Sequence, residues 1–246
     1  MDKNVRASVA MAAYNGEKYI MEQLDSIIEM LGPSDEIVVS CDESSDRTWD
    51  IIRKYAKKDA RIVCIKNKLK KGVCGNFSNA IKHCSGKYIF LCDQDDVWID
   101  DKINRMIDVL EKSGADMAVH DGYITDSELN VSSKTFFNIG KINTSPIANF
   151  IQGRFWGCCM VFKCETMGYL IPFPDKIAHD IYATILVGIK GNITVVDDIF
   201  IKHRMHRTNV TPRVHGGIWR IGVDRIRLFF CVLERLARCS IQKIGS

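Results

Sequence analysis

The chain contains the run Tyr88-Ile89-Phe90-Leu91-Cys92-Asp93-Gln94-Asp95-Asp96, in which a continuously apolar segment ends in three carboxylates. An uninterrupted apolar run that follows a glycine, here Gly86, predicts a strand buried on both faces of a parallel sheet. Ligands of open α/β sheets bind beyond the carboxyl ends of the strands. Three carboxylates at that place repel one another, so a cation such as Mg²⁺ or Mn²⁺, bridging protein and a diphosphate, would stabilise them. Acids that favour a helix N-terminus explain one or two of them but not all three.

Strand-like and helical patterns alternate on both sides of this run. Repeated β-α-β units predict an α/β fold whose sheet is mostly parallel, with right-handed crossovers. After residue 121 the rhythm changes, and residues 122–150 are expected to pass over the sheet edge without regular structure. The predicted strands are 8–13, 36–40, 61–65, 88–92, 116–120, 157–162, 193–196 and 199–205, and the predicted helices are 17–31, 46–58, one ending over 77–84, 100–112 and 178–187.

Composition excludes several classes of protein. Hydrophobic residues make up 46% and charged residues 26% of the chain, as in soluble globular proteins. The net charge of +4, without a basic block interleaved with aromatics, argues against a nucleic-acid partner. The polar first residues do not form a signal peptide, and no run approaches the ~18 apolar residues of a membrane span. Ten cysteines without a CxxC pair are expected to be reduced and buried, so the expected compartment is the cytoplasm.

A second carboxylate, Asp42, follows the predicted strand at 36–40 and is free to accept hydrogen bonds from a ligand such as a pyrimidine N–H. The turn Ala13-Tyr14-Asn15-Gly16 ends the first strand beside the same crevice. Farther along, His179-Asp180 opens a predicted helix and His206 follows a strand in a basic stretch. An acid at a helix start and a lone histidine are both common without function, although arginines beside His206 would suit a phosphate-bearing ligand.

A competing interpretation is a haloacid-dehalogenase-like phosphatase. There Asp93 would be the nucleophile, Asp95 the acid, and Asp197-Asp198 a second metal pair. That motif usually lies on the first strand, whereas three predicted strands precede Asp93, and short motifs readily mislead. The phosphatase therefore stays as the alternative.

Taken together, the segments resemble the family 2 glycosyltransferases, and most closely their bacterial rhamnosyltransferase-like members. The resemblance extends from Val9 to about Val210, and the order and spacing of its parts make it more specific than any single motif. Ala13, Cys41 and Arg207 stand where the family usually has Thr, Asp and Gly. The resemblance is carried by residues 9–17, 35–46 and 86–98, by His179-Asp180 and by Arg204-x-His206-x-x-Asn209-Val210.

The resemblance implies a GT-A (Rossmann-like) domain at 1–211, with a nucleotide-binding half at 1–121 and an acceptor and catalytic half at 122–211. It implies an inverting transferase that moves a sugar, with rhamnose as one candidate, from a UDP- or dTDP-linked donor to a glycan or lipid-linked acceptor in bacterial surface polysaccharide synthesis. A sugar-nucleotide-binding module without turnover is the other class left open. The implied site residues are Asp180 as base; Ala13, Tyr14, Asn15, Glu17, Asp42, Asp93, Gln94 and Asp95 for the donor; Asp93, Asp95 and His206 for Mn²⁺ or Mg²⁺; and Trp156 and His179 on the acceptor side.

Residues 212–246 form a predicted basic amphipathic helical tail, with seven Arg or Lys against two acids. One interpretation is a helix lying on the inner face of the plasma membrane, where lipid-linked acceptors would be found. The other is a helix packed on the domain or on a partner subunit. The apolar residues on which both depend are Ile218, Trp219, Ile221, Ile226, Leu228, Phe229, Phe230, Val232, Leu233 and Leu236.

Overall fold

In a computed structural model, which describes residues 4–140, 142–206 and 218–244, the apolar run forms a buried strand as predicted. Helices lie between the strands of the first half, each with its apolar side on the sheet. Its elements are β1 (Ala7–Ala13), α1 (Ile20–Ile28), β2 (Asp35–Cys41), α2 (Thr48–Lys58), β3 (Ile62–Lys66), α3 (Val73–Lys82), β4 (Tyr88–Asp93), β5 (Val97–Trp98) and α4 (Lys102–Ser113).

The second half adds strands of both directions and several short helices. Its elements are β6 (Met117–Thr125), β7 (Val131–Thr135), α5 (Phe136–Ile139), α6 (Pro146–Gln152), β8 (Met160–Lys163), α7 (Met167–Leu170), α8 (His179–Lys190), β9 (Ile193–Arg204) and α9 (Ile218–Ile244), with single 3₁₀ turns at Gly157–Cys159 and Cys164–Thr166.

The described strands form one sheet in the order β3-β2-β1-β4-β8-β6-β9-β5, with β7 paired to β6. Strands β3, β2, β1 and β4 are parallel, as the β-α-β rhythm predicts. Strand β8 then enters antiparallel between β4 and β6, and β6 is parallel to β9. The sheet as a whole is therefore mixed, and the carboxyl ends of β1, β2 and β4 open onto one edge.

The segment 122–150 was expected to be irregular, and that expectation is wrong. Strand β6 continues to Thr125 and turns into β7, and α5 and α6 follow. The two strands predicted at 193–205 are the single strand β9. It pairs with β6 so that Val196 lies opposite His120 and Ile199 lies opposite the next residue, Asp121. The pairing skips Asp197 and Asp198. Their charges interrupt the apolar pattern of the sequence, although the strand itself continues.

Helix α9 packs one side on α7 and α8. Leu228 and Val232 are buried there, and the Arg235 guanidinium donates to the carbonyl oxygens of Ile171 and Pro172 at 2.7 and 2.6 Å. This supports the prediction of packing on the domain for one face of the tail. Residues 212–217 and 245–246 of the tail lie outside the described residues, as do Arg207, Asn209 and Val210 of the segment that resembles the family. Among the described helices, none has the length and hydropathy needed to cross a bilayer.

Candidate functional site

The loops that follow β1 and β2 are joined by hydrogen bonds. Asn15, in a left-handed conformation with φ of 45°, accepts through Oδ1 from the Ser45 amide at 2.8 Å, and Glu17 Oε2 accepts from the Arg47 amide at 3.0 Å. In return, the Gly16 amide donates to Thr48 Oγ1 at 2.7 Å. The predicted donor residues Asn15 and Glu17 thus have their side chains engaged in holding the two loops together at the crevice.

Asp42 lies just beyond β2 and is buried. Its Oδ1 accepts from Asn67 Nδ2 at 2.6 Å and its Oδ2 from the Gly72 amide at 2.8 Å, and each oxygen keeps a further lone pair. The Asp42 amide donates to the carbonyl of Ala13 at 2.9 Å, so the ends of β1 and β2 are tied together. Tyr14 is 53% exposed beside them, which leaves its ring available to stack on a base.

Gln94 connects the acidic cluster to the turn after β1. Its Oε1 accepts from the Tyr14 amide and its Nε2 donates to the Tyr14 carbonyl, both at 2.8 Å. A Cβ on Gly16 would collide with this side chain, which accounts for the glycine. Gln94 was predicted to bind the donor, but both polar atoms of its side chain form hydrogen bonds within the protein. It therefore acts by fixing the position of the neighbouring carboxylates.

The carboxylates at the end of β4 destabilise one another's charged forms. Burial and the charges of Asp96 and Asp95 raise the pKa of Asp93 to about 8. Burial and the charge of Asp96 also raise the pKa of Asp95, although His206 partly offsets this. A carboxylate whose charge is disfavoured by its surroundings gains most from a nearby cation.

The end of strand β9 and the residues just after it supply the basic side chains of the site. His206 Nε2 lies 2.8 Å from Asp95 Oδ2, and its ring stacks on Tyr19 with centroids 4.7 Å apart. The buried Arg204 donates through Nε to the Asp95 carbonyl at 3.0 Å and pairs with Glu22. Arg204 was expected to suit a phosphate; instead, these contacts bind the end of β9 to the acidic loop.

Asp96 differs from the other two acids because it is fully buried. Its Oδ1 accepts from His203 Nδ1 at 2.8 Å and from the Arg204 amide at 3.2 Å. Burial disfavours a charged imidazole, but the charge of Asp96 and its hydrogen bond raise the pKa of His203 well above the usual value. Cys158 Sγ lies with these two groups inside 4.8 Å, and the other oxygen of Asp96, Oδ2, is buried with no hydrogen-bond partner among the described residues.

The residues expected to hold a metal fit that role by their chemistry. Asp95 and His206 bring a carboxylate oxygen and an imidazole nitrogen to within 2.8 Å, and Asp93 adds another carboxylate to the same loop. A mixed oxygen and nitrogen set suits Mn²⁺ well, while Mg²⁺ prefers oxygen alone. The repulsion among the acids supplies the electrostatic reason for a divalent cation here.

Asp180 lies in the first turn of α8, where its Oδ1 accepts from the Ile181 amide at 2.7 Å. Burial raises its pKa, and its charge contributes to the raised pKa of Asp93. His179 packs against Phe77 and Phe173, and its buried Nε2 lacks a hydrogen-bond partner among the described residues.

Trp156, predicted on the acceptor side, is half-buried and stacks on Phe136 with ring centroids 4.1 Å apart. One face of its indole is thus occupied by protein.

The close approach of α5, which carries Phe136, depends on Gly122, since a Cβ at that position would meet the ring of Phe136 and the side chain of Ile201.

Residues 8–168 match the family model described as Glycosyl transferase family 2, which is more than half of the chain. The chain is a family 2 glycosyltransferase. This assignment replaces the phosphatase interpretation, and Asp197 and Asp198 are accordingly exposed on β9, with Asp198 paired to Arg105, rather than beside the acidic cluster.

Two bacterial proteins are among the relatives of this glycosyltransferase. It is 31% identical over 213 residues to the UDP-Glc:alpha-D-GlcNAc-diphosphoundecaprenol beta-1,3-glucosyltransferase WfaP of Escherichia coli, covering 83% of this chain and 79% of that protein. It is also 32% identical over 164 residues to the dTDP-rhamnosyl transferase RfbG of Shigella flexneri, covering 64% and 55%.

Solved structures confirm the GT-A fold of the glycosyltransferase. Staphylococcus aureus TarS 1–349 in complex with UDP-GlcNAc superimposes with a TM-score of 0.69 at 18% identity, covering 94% of this chain and 72% of that one. In its complex with UDP, the same protein matches over 61% of its own length. The mannosyltransferase PcManGT from Pyrobaculum calidifontis, in complex with GDP-Man and Mn²⁺, gives 0.61 at 19% identity, covering 96% and 70%.

Sequence reasoning missed several residues of the site of this glycosyltransferase. Asn67 and the Gly72 amide hold Asp42, and Tyr19 and Glu22 hold the end of β9. None lies in a motif, and each is an ordinary loop or helix residue by composition. Only the three-dimensional arrangement identifies them.

Proposed function

We propose that this enzyme transfers a sugar, with inversion and with a divalent cation, from a UDP- or dTDP-linked donor to a hydroxyl of a glycan or lipid-linked acceptor in polysaccharide synthesis. The contact between Asp95 and His206 carries the proposal, because it brings a metal-binding pair to the strand end where a diphosphate would lie. The names of WfaP and RfbG, which specify a UDP-linked and a dTDP-linked donor class, support a pyrimidine nucleotide. Rhamnose is one candidate for the sugar.

On the donor side, Asp42 is the group we assign to the base. It is buried between Asn67 and the Gly72 amide, so its orientation is fixed before a ligand arrives. Its remaining lone pairs can accept a pyrimidine N–H, and the exposed Tyr14 can cover the base. The Ala13 carbonyl is already engaged by the Asp42 amide, so Ala13 contributes backbone position.

At the diphosphate, Asp93, Asp95 and His206 would hold Mn²⁺ or Mg²⁺. When bound, such a cation neutralises the charge that grows on the departing diphosphate. The protein's own part is to fix the loop that carries these carboxylates, which Gln94 does through Tyr14 and Arg204 through the Asp95 carbonyl.

On the acceptor side, Asp180 is the group we assign as the general base. A general base works best when its pKa is close to the pH at which the enzyme operates. Burial raises the pKa of Asp180 above the ordinary carboxyl value, which is a shift in that direction. One base without an enzyme nucleophile corresponds to a single displacement, which inverts the anomeric carbon. Trp156 and His179 are the residues we assign to the same side, where they would limit the room for the acceptor. We place the reaction in the cytoplasm, at the inner face of the plasma membrane when the acceptor is lipid-linked.

Calorimetry with UDP and dTDP tests the donor and metal together. Binding should require Mn²⁺ or Mg²⁺, weaken with chelator, and fall at least about tenfold in Asp95→Ala, since a charge-assisted contact contributes about 1.5–3 kcal/mol. Asp108→Ala, an exposed acid on α4, is the matched control and should bind as the wild type does. Equal affinity of Asp95→Ala and wild type would contradict the proposed metal site.

A further inference from the structure

Helix α9 has a second apolar face, opposite the one packed on the domain. Val223, Ile226, Phe230 and Leu233 follow one another at spacings of three, four and three, so they lie on one side of the helix. All four are exposed, Phe230 by 63% and Ile226 by 60%. The buried residues Leu228 and Val232 lie on the other side, so this face is not needed to dock α9.

Exposed apolar side chains continue from α9 onto α6. Ile147 and Ile151, one helical turn apart on α6, are 73% and 70% exposed. The two helices meet where Phe150 of α6 lies edge-on to Phe229 of α9, with ring centroids 6.3 Å apart. We name the α6–α9 surface for its exposed members Ile147, Ile151, Val223, Ile226, Phe229, Phe230 and Leu233. Contiguous apolar surface of this kind marks an interaction site on a soluble protein.

Arginines, each paired with an acid, lie at the margin of this surface. Arg227 and Arg238 lie along one margin of the apolar face of α9, each in an exposed ion pair with an acid of its own helix. Exposed pairs of this kind are weak and readily exchange partners. Residues 212–246 as a whole carry seven Arg or Lys against two acids, which is the balance expected next to an anionic layer.

We propose that the α6–α9 surface docks on an anionic phospholipid bilayer, with α9 lying in the plane of the headgroups. An apolar stripe with basic residues at its margin is the pattern of helices that lie in the membrane interface. Like the other described helices, α9 is not long and apolar enough to cross a membrane. The inference rests on the proposed function in that a lipid-linked acceptor would be met at such a surface. A second copy of the chain is the rival occupant of the same surface.

Vesicle co-sedimentation tests the proposal on the full chain. Wild type should pellet with vesicles of phosphatidylglycerol and phosphatidylcholine at low salt, and less at high salt or without phosphatidylglycerol. Ile226→Ser combined with Phe230→Ser should reduce the bound fraction at least about tenfold, because both side chains would insert. Ile147→Ser should reduce it less, and Ile189→Ser, an equally apolar and 47% exposed residue of α8, should leave it unchanged.

Two outcomes would overturn the proposal. One is wild type that remains in the supernatant at low salt, and the other is undiminished binding by the double variant. If sedimentation velocity instead finds a wild-type dimer that Phe230→Ser dissociates, without vesicle binding, a second copy occupies the surface and the proposal is wrong. UDP binding by calorimetry should be the same in all these variants, so loss of vesicle binding with intact UDP binding is separable from failure of the proposed donor site.

Discussion

At the scale of single residues, the buried carboxylates of this glycosyltransferase differ in how their charge is compensated. Asp42 accepts one hydrogen bond on each oxygen, whereas Asp96 accepts two on Oδ1, one of them from an imidazole, and its buried Oδ2 has no partner among the described residues. Asp93 and Asp180 have raised pKa values because the effect of burial outweighs the nearby charges and hydrogen bonds that stabilise their ionised forms. The uncompensated carboxylates are the ones available to a cation or a proton, which is why they, rather than Asp42, are assigned to the chemistry.

Asp180→Asn keeps the shape of the side chain and removes its ability to accept a proton. Turnover should fall by ~10²–10⁴-fold while UDP affinity stays unchanged. In wild type, turnover should decrease as pH falls through the raised pKa of Asp180, and this acidic limb should be missing from the residual activity of the variant. Initial rates of nucleotide release across pH measure both effects. Asp197→Asn, an exposed carboxylate on β9, is the control, and near-normal turnover of Asp180→Asn would assign the base elsewhere.

Asn67→Ala removes the donor that orients Asp42 Oδ1 at 2.6 Å. Affinity for UDP should weaken by roughly tenfold, because a hydrogen bond to a charged group contributes about 1.5–3 kcal/mol. Turnover at saturating donor should change little, since the reacting groups are untouched. Calorimetry and steady-state kinetics separate the two, with Leu69→Ala in the same loop as the control. A fall in turnover at unchanged affinity would show that Asn67 acts on something other than the base-binding carboxylate.

At the scale of elements, the sequence predicted strands that are apolar throughout and misread those that carry charges. Strand β4 is identified by composition because both faces are buried. Strand β9 was divided in two because Asp197 and Asp198 interrupt it, whereas the pairing with β6 simply passes over them. Strand β7 is short and exposed on all but its last residue, so it has no alternating pattern to detect.

The same limit applies to the candidate site. Asp93, Asp95, Asp180 and His206 stand at recognisable strand or helix ends, and the fold brings Asp95 into contact with His206. Gln94, Asn15 and Glu17 were assigned to the donor because they stand in the right segments. Their hydrogen bonds to Tyr14, Ser45 and Arg47 are set by how two loops approach each other, which no local pattern encodes.

Leu228→Ala tests the docking of α9 on the domain. Leu228 is 2% exposed, and truncating a buried leucine costs about 2–5 kcal/mol of the free energy of unfolding through lost contacts and a cavity. Leu233→Ala, on the exposed face of the same helix, should stay within about 0.5 kcal/mol. Urea unfolding followed by tryptophan fluorescence measures both. Equal effects of the two substitutions would mean that α9 does not pack through the Leu228 face.

At the scale of the whole molecule, the acidic cluster ties stability to pH and to metal. The pKa of Asp93 is about 8 in the folded chain and 3.8 for an ordinary Asp, so the folded state holds its proton more tightly than the unfolded state. Deprotonation therefore opposes folding, and stability of the metal-free protein should be lost as pH rises between those values. Mn²⁺ should restore it most at the alkaline end.

Thermal unfolding with Mn²⁺ or with chelator, at several pH values across that window, measures this effect. A protein of this size shifts its Tm by about 2–4 °C for each kcal/mol. Asp93→Asn should flatten the decline of Tm with pH and reduce the gain from Mn²⁺. A Tm that rises with pH in the metal-free wild type, or an unchanged slope in Asp93→Asn, would contradict the assignment of the decline to this carboxyl.

The partners of the acidic loop stand far along the chain: His206 is 111 positions after Asp95, and His203 is 107 positions after Asp96. A ribosome releases the amino-terminal part first, and domains fold as their segments emerge. The loops around Asp42, the carboxylate we assign to the base, can therefore assemble on the nascent chain well before β9 is available. Until β9 is made, the cluster has neither its imidazoles nor Arg204, so the acidic loop acquires these contacts only after synthesis has passed residue 206.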